Sequence, residues 1–167
     1  MEGIMTISEA LLPEFDQEIA NTRRTLERVP SVPEFAPHPK SMKLGNLAPH
    51  VAELAGFGVT VLTTPQLEFT AGSYRPLPFE SGAQLVKVLD EGASKVRQAL
   101  ADTRDEAWSE PWKLLFNGTV LFEGSRFLAY RQMFLNHLVH HRAQLGVYLR
   151  LNGVAVPAIY GPSADEQ

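Results

Sequence analysis

The chain contains no cysteine among its 167 residues, so disulfide bonds and zinc sites built on cysteine are both excluded. It also lacks any apolar run near the ~20 residues that a membrane-spanning helix needs, so no membrane span is expected. Residues 1–6 lack the basic start and long apolar run of a secretory signal peptide. The sequence therefore predicts a cytoplasmic protein.

Clustered basic residues are absent as well. The formal net charge is −4, and the densest basic pair, Arg23 and Arg24, is followed by Glu27 and Arg28 on a face of mixed charge. Binding to nucleic acid needs clustered lysine and arginine that contact phosphates. We therefore expect no nucleic-acid partner.

The composition that remains is that of an ordinary globular protein, with 44% hydrophobic and 20% charged residues. There is no internal repeat and no low-complexity tract, so residues 1–167 are predicted to form a single domain. Four segments have the apolar periodicity of amphipathic helices. They are residues 8–28, 46–63, 81–101 and 125–152.

Local signals predict where these helices begin and end. Ser8 and Asn46 are expected N-caps, Pro49 fits the first turn of the second helix, and Gly153 is placed to end the fourth. Residues 30–45 and 65–80 are rich in proline and glycine and are expected to be loops. In the second helix, Gly56 and Gly58 are expected to allow close approach of a neighbouring helix.

Asn117 and Gly118 lie between two apolar runs, a strong signal for a tight turn. A short β-hairpin is therefore predicted near residues 113–122. Together these segments indicate an all-α fold, a four-helix bundle with long crossover loops and this one possible hairpin.

Three of the five histidines lie within residues 137–141, inside the fourth predicted helix. In a helix, His137 and His141 are separated by one turn and about 40°, so both rings lie on one face and can bind the same metal ion. Imidazole pairs suit divalent transition metals, with zinc and nickel first and manganese compatible. His140 is a competing partner for His137, and its participation stays open.

A third ligand has to come from elsewhere, and His50 on the apolar face of the second helix is the best candidate. Three neutral imidazoles with an open coordination position are typical of a catalytic zinc site. The alternative is that these histidines hydrogen-bond to one another and to water inside the protein. His38 lies between prolines and is expected to be exposed.

Two further residues are candidates to contact and orient the histidines. Glu53 follows His50 by one helical turn and is also a candidate weak ligand, and the Gln144 amide follows His141 by three residues. For each, the alternative is a solvated surface side chain. No catalytic residue is identified, because no serine motif is present and the Glu-x-x-His and His-Glu-x-x-His patterns are absent.

Three motifs resemble those of the DinB/YfiT-like family. Residues 140–145, His-His-Arg-Ala-Gln-Leu, are similar to that family's usual His-His-Arg-Gly-Gln-Leu, with Ala143 in place of glycine. Residues 44–54 resemble its second-helix motif with a single histidine. Residues 149–154 and 160–163 resemble its C-terminal end, so the likeness spans nearly the whole chain.

The resemblance implies a four-helix bundle, commonly a homodimer, that holds one divalent metal ion on His50, His137 and His141. Characterised relatives include metal-dependent transferases and isomerases that use low-molecular-weight thiols such as bacillithiol or mycothiol. The leading hypothesis is therefore transfer of such a thiol to an electrophilic small molecule. The alternatives are metal-assisted hydrolysis and a non-catalytic, stress-associated metal-binding dimer.

Large apolar residues in the predicted loops are expected to line either a pocket or a dimer contact. They are Phe35, Leu67, Phe69 and Tyr74.

Overall fold

The computed structural model describes residues 5–167, which are mostly helical and carry a small three-stranded sheet. The first three long helices are α1 (Ile7–Leu26), α2 (Leu44–Thr63) and α3 (Gly82–Asp102). A short 3₁₀ turn at Asp105–Ser109 leads into the hairpin. The fourth long helix comprises α4 (Arg126–Leu128), a π-helical segment (Ala129–Leu135) and α5 (Asn136–Leu151).

The first helix begins at a capping box. The Thr6 hydroxyl accepts a hydrogen bond from the Glu9 backbone at 3.2 Å, while the Glu9 carboxylate accepts one from the Thr6 backbone at 2.7 Å. The prediction of Ser8 as the N-cap is therefore wrong. Ser8 is buried within the helix, where its hydroxyl donates to the Thr103 carbonyl and accepts from the Trp108 indole.

The second helix begins at Leu44, two residues before the predicted N-cap, Asn46. Its first amides donate to carbonyls of the preceding loop: Leu44 to Phe35 at 2.8 Å and Gly45 to Pro33 at 2.9 Å. Because loop backbone satisfies these amides, no capping side chain is needed. Pro49 consequently lies beyond the first turn, contrary to the prediction. The third helix begins one residue after its predicted start at Ser81, and the Ser81 hydroxyl caps it by accepting from the Gln84 backbone amide.

The hairpin prediction is confirmed. Strands β2 (Pro111–Phe116) and β3 (Thr119–Ser125) pair antiparallel through a turn in which Asn117 and Gly118 have φ angles of 46° and 76°. Both values are positive, as a two-residue type I′ turn requires. A third strand, β1 (Gln66–Phe69), pairs parallel with β2. The prediction of a loop over residues 65–80 is therefore wrong for these four residues.

The fourth helix begins where predicted, with the Ser125 hydroxyl accepting from the Leu128 amide at 3.3 Å. Its end is also close to the prediction, since the helix stops at Leu151 and Gly153 has a φ of 70°. The π-helical segment within it was not predicted. It lies immediately before α5, the helix that carries His137 and His141.

The helices pack around a core to which every long helix contributes. α3 contacts α1 and α2, and α5 contacts the same two helices. The sheet covers one end through Trp112, which is fully buried and meets the Phe57 ring edge to face at 6.1 Å. This packing brings the middle of α2 against the start of α5. No helix of the described residues combines the length and apolarity needed to cross a membrane.

Candidate metal centre

Three imidazoles converge between α2 and α5. The Nε2 atom of His137 lies 3.4 Å from that of His50 and 2.8 Å from that of His141. One ligand nitrogen from each ring lies within 4.8 Å of the other two. The i, i+4 spacing on α5 supplies one pair, and the apolar face of α2 supplies the third ring.

The hydrogen bonds on the opposite side of two rings fix their orientation. His137 Nδ1 lies 3.2 Å from the Met133 carbonyl, and His141 Nδ1 lies 2.7 Å from the Gln144 side-chain oxygen. An oxygen acceptor at Nδ1 places the proton of a neutral imidazole there. The lone pairs on Nε2 of both rings then face the centre of the cluster.

The surroundings favour neutral rings. Burial, followed by the charges of His141 and His137, lowers the pKa of His50 to about 4. Burial also lowers the pKa of His137 and of His141, although the hydrogen bonds to Met133 and Gln144 act in the opposite direction. Because a metal ligand must be a deprotonated imidazole, the three rings are in the required state at neutral pH.

This arrangement fits one divalent cation. Two nitrogen ligands of a tetrahedral zinc ion lie about 3.3 Å apart when each Zn–N bond is about 2.0–2.1 Å. The Nε2 atoms of His50 and His137, 3.4 Å apart, match that separation, and those of His137 and His141, 2.8 Å apart, would have to move apart by about 0.5 Å. Converging lone pairs without a proton between them repel one another, and a cation removes that repulsion. Three neutral nitrogen donors could therefore hold a transition metal and leave further positions free.

The structure separates the other histidines from this cluster. His140 is exposed, and its ring centroid lies 4.9 Å from that of His141, but it is not among the residues whose ligand atoms converge. His38 is exposed in the loop before α2, where its Nδ1 accepts from the Lys40 amide. Neither histidine contributes to the cluster.

The two candidate orienting residues behave differently. Gln144 contacts His141 directly, as the sequence suggested for its amide. Glu53 forms no hydrogen bond with the histidines among the described residues. Its carboxylate instead accepts from the Tyr74 hydroxyl at 2.8 Å and from the Leu77 amide at 3.3 Å, so it holds the segment that follows β1.

A cavity of about 470 Å³ opens beside the cluster, with His50 and His137 in its wall. Phe69 and Tyr74 also line it, as one of the two alternatives for these residues predicted. Phe35 packs edge to face against Tyr148, and Leu67 packs against the core. The histidine cluster is therefore reached from a partly open and largely apolar space.

Arg142, which directly follows His141, is a structural residue that sequence reasoning did not single out. Its guanidinium is buried and lies 2.5 Å from the Glu18 carboxylate of α1. It also donates to the Glu18 carbonyl at 3.0 Å and to the Tyr160 hydroxyl at 2.5 Å. A charged residue beside an inward-facing histidine is the signal that could have indicated this role.

Comparisons with known proteins agree with this architecture. Residues 77–167 match the family model described as the DinB family. A DinB-like protein from Bacillus cereus ATCC 10987 superposes with a TM-score of 0.68 at 19% identity, over 93% of this chain and 99% of that one. A DinB-like protein from Bacillus subtilis gives 0.64 at 16% identity, over 95% and 99%. At these identities the two structures show the fold alone. No curated protein matches the chain.

Proposed function

The chain belongs to the DinB family, and from this premise we propose that it is a metal-dependent enzyme that transfers a low-molecular-weight thiol to an electrophilic small molecule. His50, His137 and His141 bind one divalent cation, zinc or nickel, within a four-helix bundle. The observation that carries the proposal is the convergence of three Nε2 atoms beside an apolar cavity.

In this proposal the metal ion activates the thiol, and the polypeptide positions the metal ligands and the substrate. A bound divalent cation lowers the pKa of a coordinated thiol, which makes the thiolate available at neutral pH. The polypeptide holds the rings in place through the Met133 carbonyl and the Gln144 amide. The cavity keeps water away from the electrophile and places it next to the nucleophile. Since the chain has no cysteine, the sulfur nucleophile has to arrive with the thiol substrate.

Metal content tests the first part of the proposal. Protein purified without a histidine tag is expected to contain about one zinc or nickel ion per chain. His50→Ala, His137→Ala and His141→Ala should each lose the metal, while the exposed neighbour His140→Ala should keep it. Metal retained in all three cluster variants, or lost equally in His140→Ala, would contradict the site.

Turnover tests the second part. With 1-chloro-2,4-dinitrobenzene as electrophile and bacillithiol or mycothiol as donor, the thiol sulfur bonds to the ring carbon, chloride leaves and the thiol proton passes to solvent. The rate should depend on the thiol and fall at least 100-fold in His137→Ala. Thiol-dependent turnover that persists in His137→Ala defeats the proposal. Turnover of an ester substrate without thiol indicates metal-assisted hydrolysis in its place.

A further inference from the structure

The cavity beside the histidines has a distinctive distribution of charge. Among the residues that the structure describes, no lysine or arginine lines it, and Glu53 is the charged side chain in its wall. Most of the remaining lining is aromatic or aliphatic, including Phe57, Leu114 and Met133. In the metal-free protein, an anion entering this space would lose part of its hydration without gaining a cationic partner.

Glu53 is already engaged by the protein. Its carboxylate accepts from the Tyr74 hydroxyl at 2.8 Å and from the Leu77 amide at 3.3 Å. These bonds tie the segment after β1 across the cavity, so that Thr70, Ala71, Gly72 and Tyr74 form part of its wall. The carboxylate thus holds this wall through Oε2, and its negative charge repels anions.

We infer that this cavity binds an uncharged, predominantly apolar small molecule, with one end against His50 and His137 and the other beneath the Tyr74–Glu53 pair. Its volume of about 470 Å³ lies in the range of pockets that enclose most of a small organic ligand. The aromatic walls favour a planar ring system, which can stack or make edge contacts with Phe57 and Phe69. In the metal-free protein, the same wall disfavours phosphate esters, carboxylates and nucleotides.

This inference rests on the proposed function only where it names the ligand as the electrophilic substrate. In that role, the cavity selects a neutral aromatic electrophile. Binding of the ligand itself requires no metal, because the lining that carries the argument belongs to the polypeptide. The two claims can therefore be tested independently.

A matched pair of dyes tests the charge selectivity. N-phenyl-1-naphthylamine is neutral, 1-anilinonaphthalene-8-sulfonate adds one negative charge to the same ring system, and both fluoresce more strongly in apolar surroundings. In protein treated with a chelator, we expect the neutral dye to bind at least tenfold more tightly than the sulfonate. Glu53→Gln, which keeps an acceptor for Tyr74, should reduce this ratio severalfold without weakening the neutral dye. Equal affinities in the wild type, or an unchanged ratio in Glu53→Gln, would overturn the inference.

Two further variants locate the dye. Ala71→Trp places a large side chain in the cavity wall from an exposed position and should weaken neutral-dye binding at least tenfold. Val120→Trp adds the same side chain on the exposed strand β3, outside the cavity, and should leave the affinity unchanged. Circular dichroism checks that both variants fold. Wild-type affinity in folded Ala71→Trp, or equal loss in Val120→Trp, would place the dye elsewhere and refute the site.

Metal content separates the failure of this inference from failure of the proposed function. His141 does not line the cavity, so His141→Ala should lose the metal and keep the neutral dye. Ala71→Trp should keep the metal and lose the neutral dye, because Ala71 is not among the clustered ligands. If dye binding disappears together with the metal in His141→Ala, the cavity is not an independent apolar site and the inference fails. If no variant or wild-type sample binds metal but the dye results hold, only the proposed function fails.

Discussion

Arg142 shows how a single buried charge joins three parts of the chain. Its side chain is 4% exposed and that of Glu18 is 9% exposed, so the pair is removed from solvent. The Tyr160 hydroxyl donates to the Glu18 carboxylate at 2.9 Å and completes the network from the C-terminal segment. Because Arg142 directly follows His141, this network also fixes how α5 sits against α1.

Replacing Arg142 with Met should destabilise the protein by about 3–5 kcal/mol, because the Glu18 carboxylate would remain buried without its partner. Arg150→Met is the matched control. It removes an ion pair to Asp165 in which the arginine side chain is 48% exposed, and such pairs contribute about 0–1 kcal/mol. Urea unfolding of the three proteins measures the difference in free energy of unfolding.

A double variant gives the control for this prediction. Glu18→Met combined with Arg142→Met removes both charges, and it should be more stable than Arg142→Met alone. Equal losses in Arg142→Met and Arg150→Met would show that the buried pair has no special role in the stability of the fold.

Tyr74 provides a pH-dependent readout of the cavity wall. Burial and then the hydrogen bond to Glu53 raise the pKa of its hydroxyl from 10.0 to about 12. Because the pKa of Tyr74 is higher in the folded than in the unfolded protein, the neutral hydroxyl contributes fully to stability below pH 10. This contribution is lost as the pH rises through 12. The difference in 295 nm absorbance between wild type and Tyr74→Phe should show little ionisation at pH 11.

The control for the Tyr74 prediction is Glu53→Gln. This substitution removes the negative charge while retaining an acceptor, so the pKa of Tyr74 should shift towards 10 and the absorbance difference should appear at lower pH. An identical titration in Glu53→Gln would mean that the carboxylate does not act on Tyr74 in solution.

At the scale of the helix, two glycines of α2 that look equivalent in sequence have different surroundings. A Cβ atom on Gly58 would lie 2.9 Å from ring carbons of Phe134, which is fully buried. A Cβ atom on Gly56 would meet nothing within 4 Å. The expectation that both glycines permit close approach therefore holds for Gly58 and not for Gly56.

Substitution by alanine should change the stability in opposite directions at these two positions. Gly58→Ala forces the Phe134 ring out of its place and should cost about 1–3 kcal/mol. Gly56→Ala adds a better helix former in open space and should stabilise the protein by about 0.5–1 kcal/mol. Thermal unfolding measures both, and a stabilised Gly58→Ala variant would contradict the packing.

The elements that could be predicted from sequence are those whose cause is local. Asn117 and Gly118 specify a type I′ turn by their own backbone preferences, so the hairpin could be predicted from these two residues. Strand β1 could not be predicted, because its four residues are strands only through pairing with β2, which lies far along the chain. The N-cap prediction at Asn46 failed for a similar reason, since carbonyls of the preceding loop accept from the first amides of α2. The prediction at Ser8 instead overlooked a local signal, the capping box of Thr6 and Glu9.

The candidate site likewise has features that the sequence predicts and features that it does not. The sequence alone shows the i, i+4 spacing of His137 and His141 and the apolar positions around His50. The structure brings these three rings together. The Glu53–Tyr74 contact depends on how the segment after β1 folds back, which no local pattern encodes. The homodimer implied by the family resemblance stays a prediction.

For the whole molecule, the candidate ligands connect segments that are distant in the chain. His50 and His137 are 87 residues apart, yet their Nε2 atoms lie 3.4 Å apart across α2 and α5. A cation bound to all three rings joins these helices in the folded state and has no comparable site in the unfolded chain. Metal binding should therefore be coupled to global unfolding.

Zinc added to chelator-treated protein should raise the thermal unfolding midpoint. At 1,000 times the dissociation constant, a ligand that binds only the folded state adds about 4 kcal/mol, which corresponds to a shift on the order of 10 °C for a protein of this size. His140→Ala should show the same shift, whereas His50→Ala should show little, because two imidazoles of one helix turn bind zinc weakly and do not span α2 and α5. An equal shift in His50→Ala would mean that zinc binds to α5 alone, and the two helices would then not share a metal.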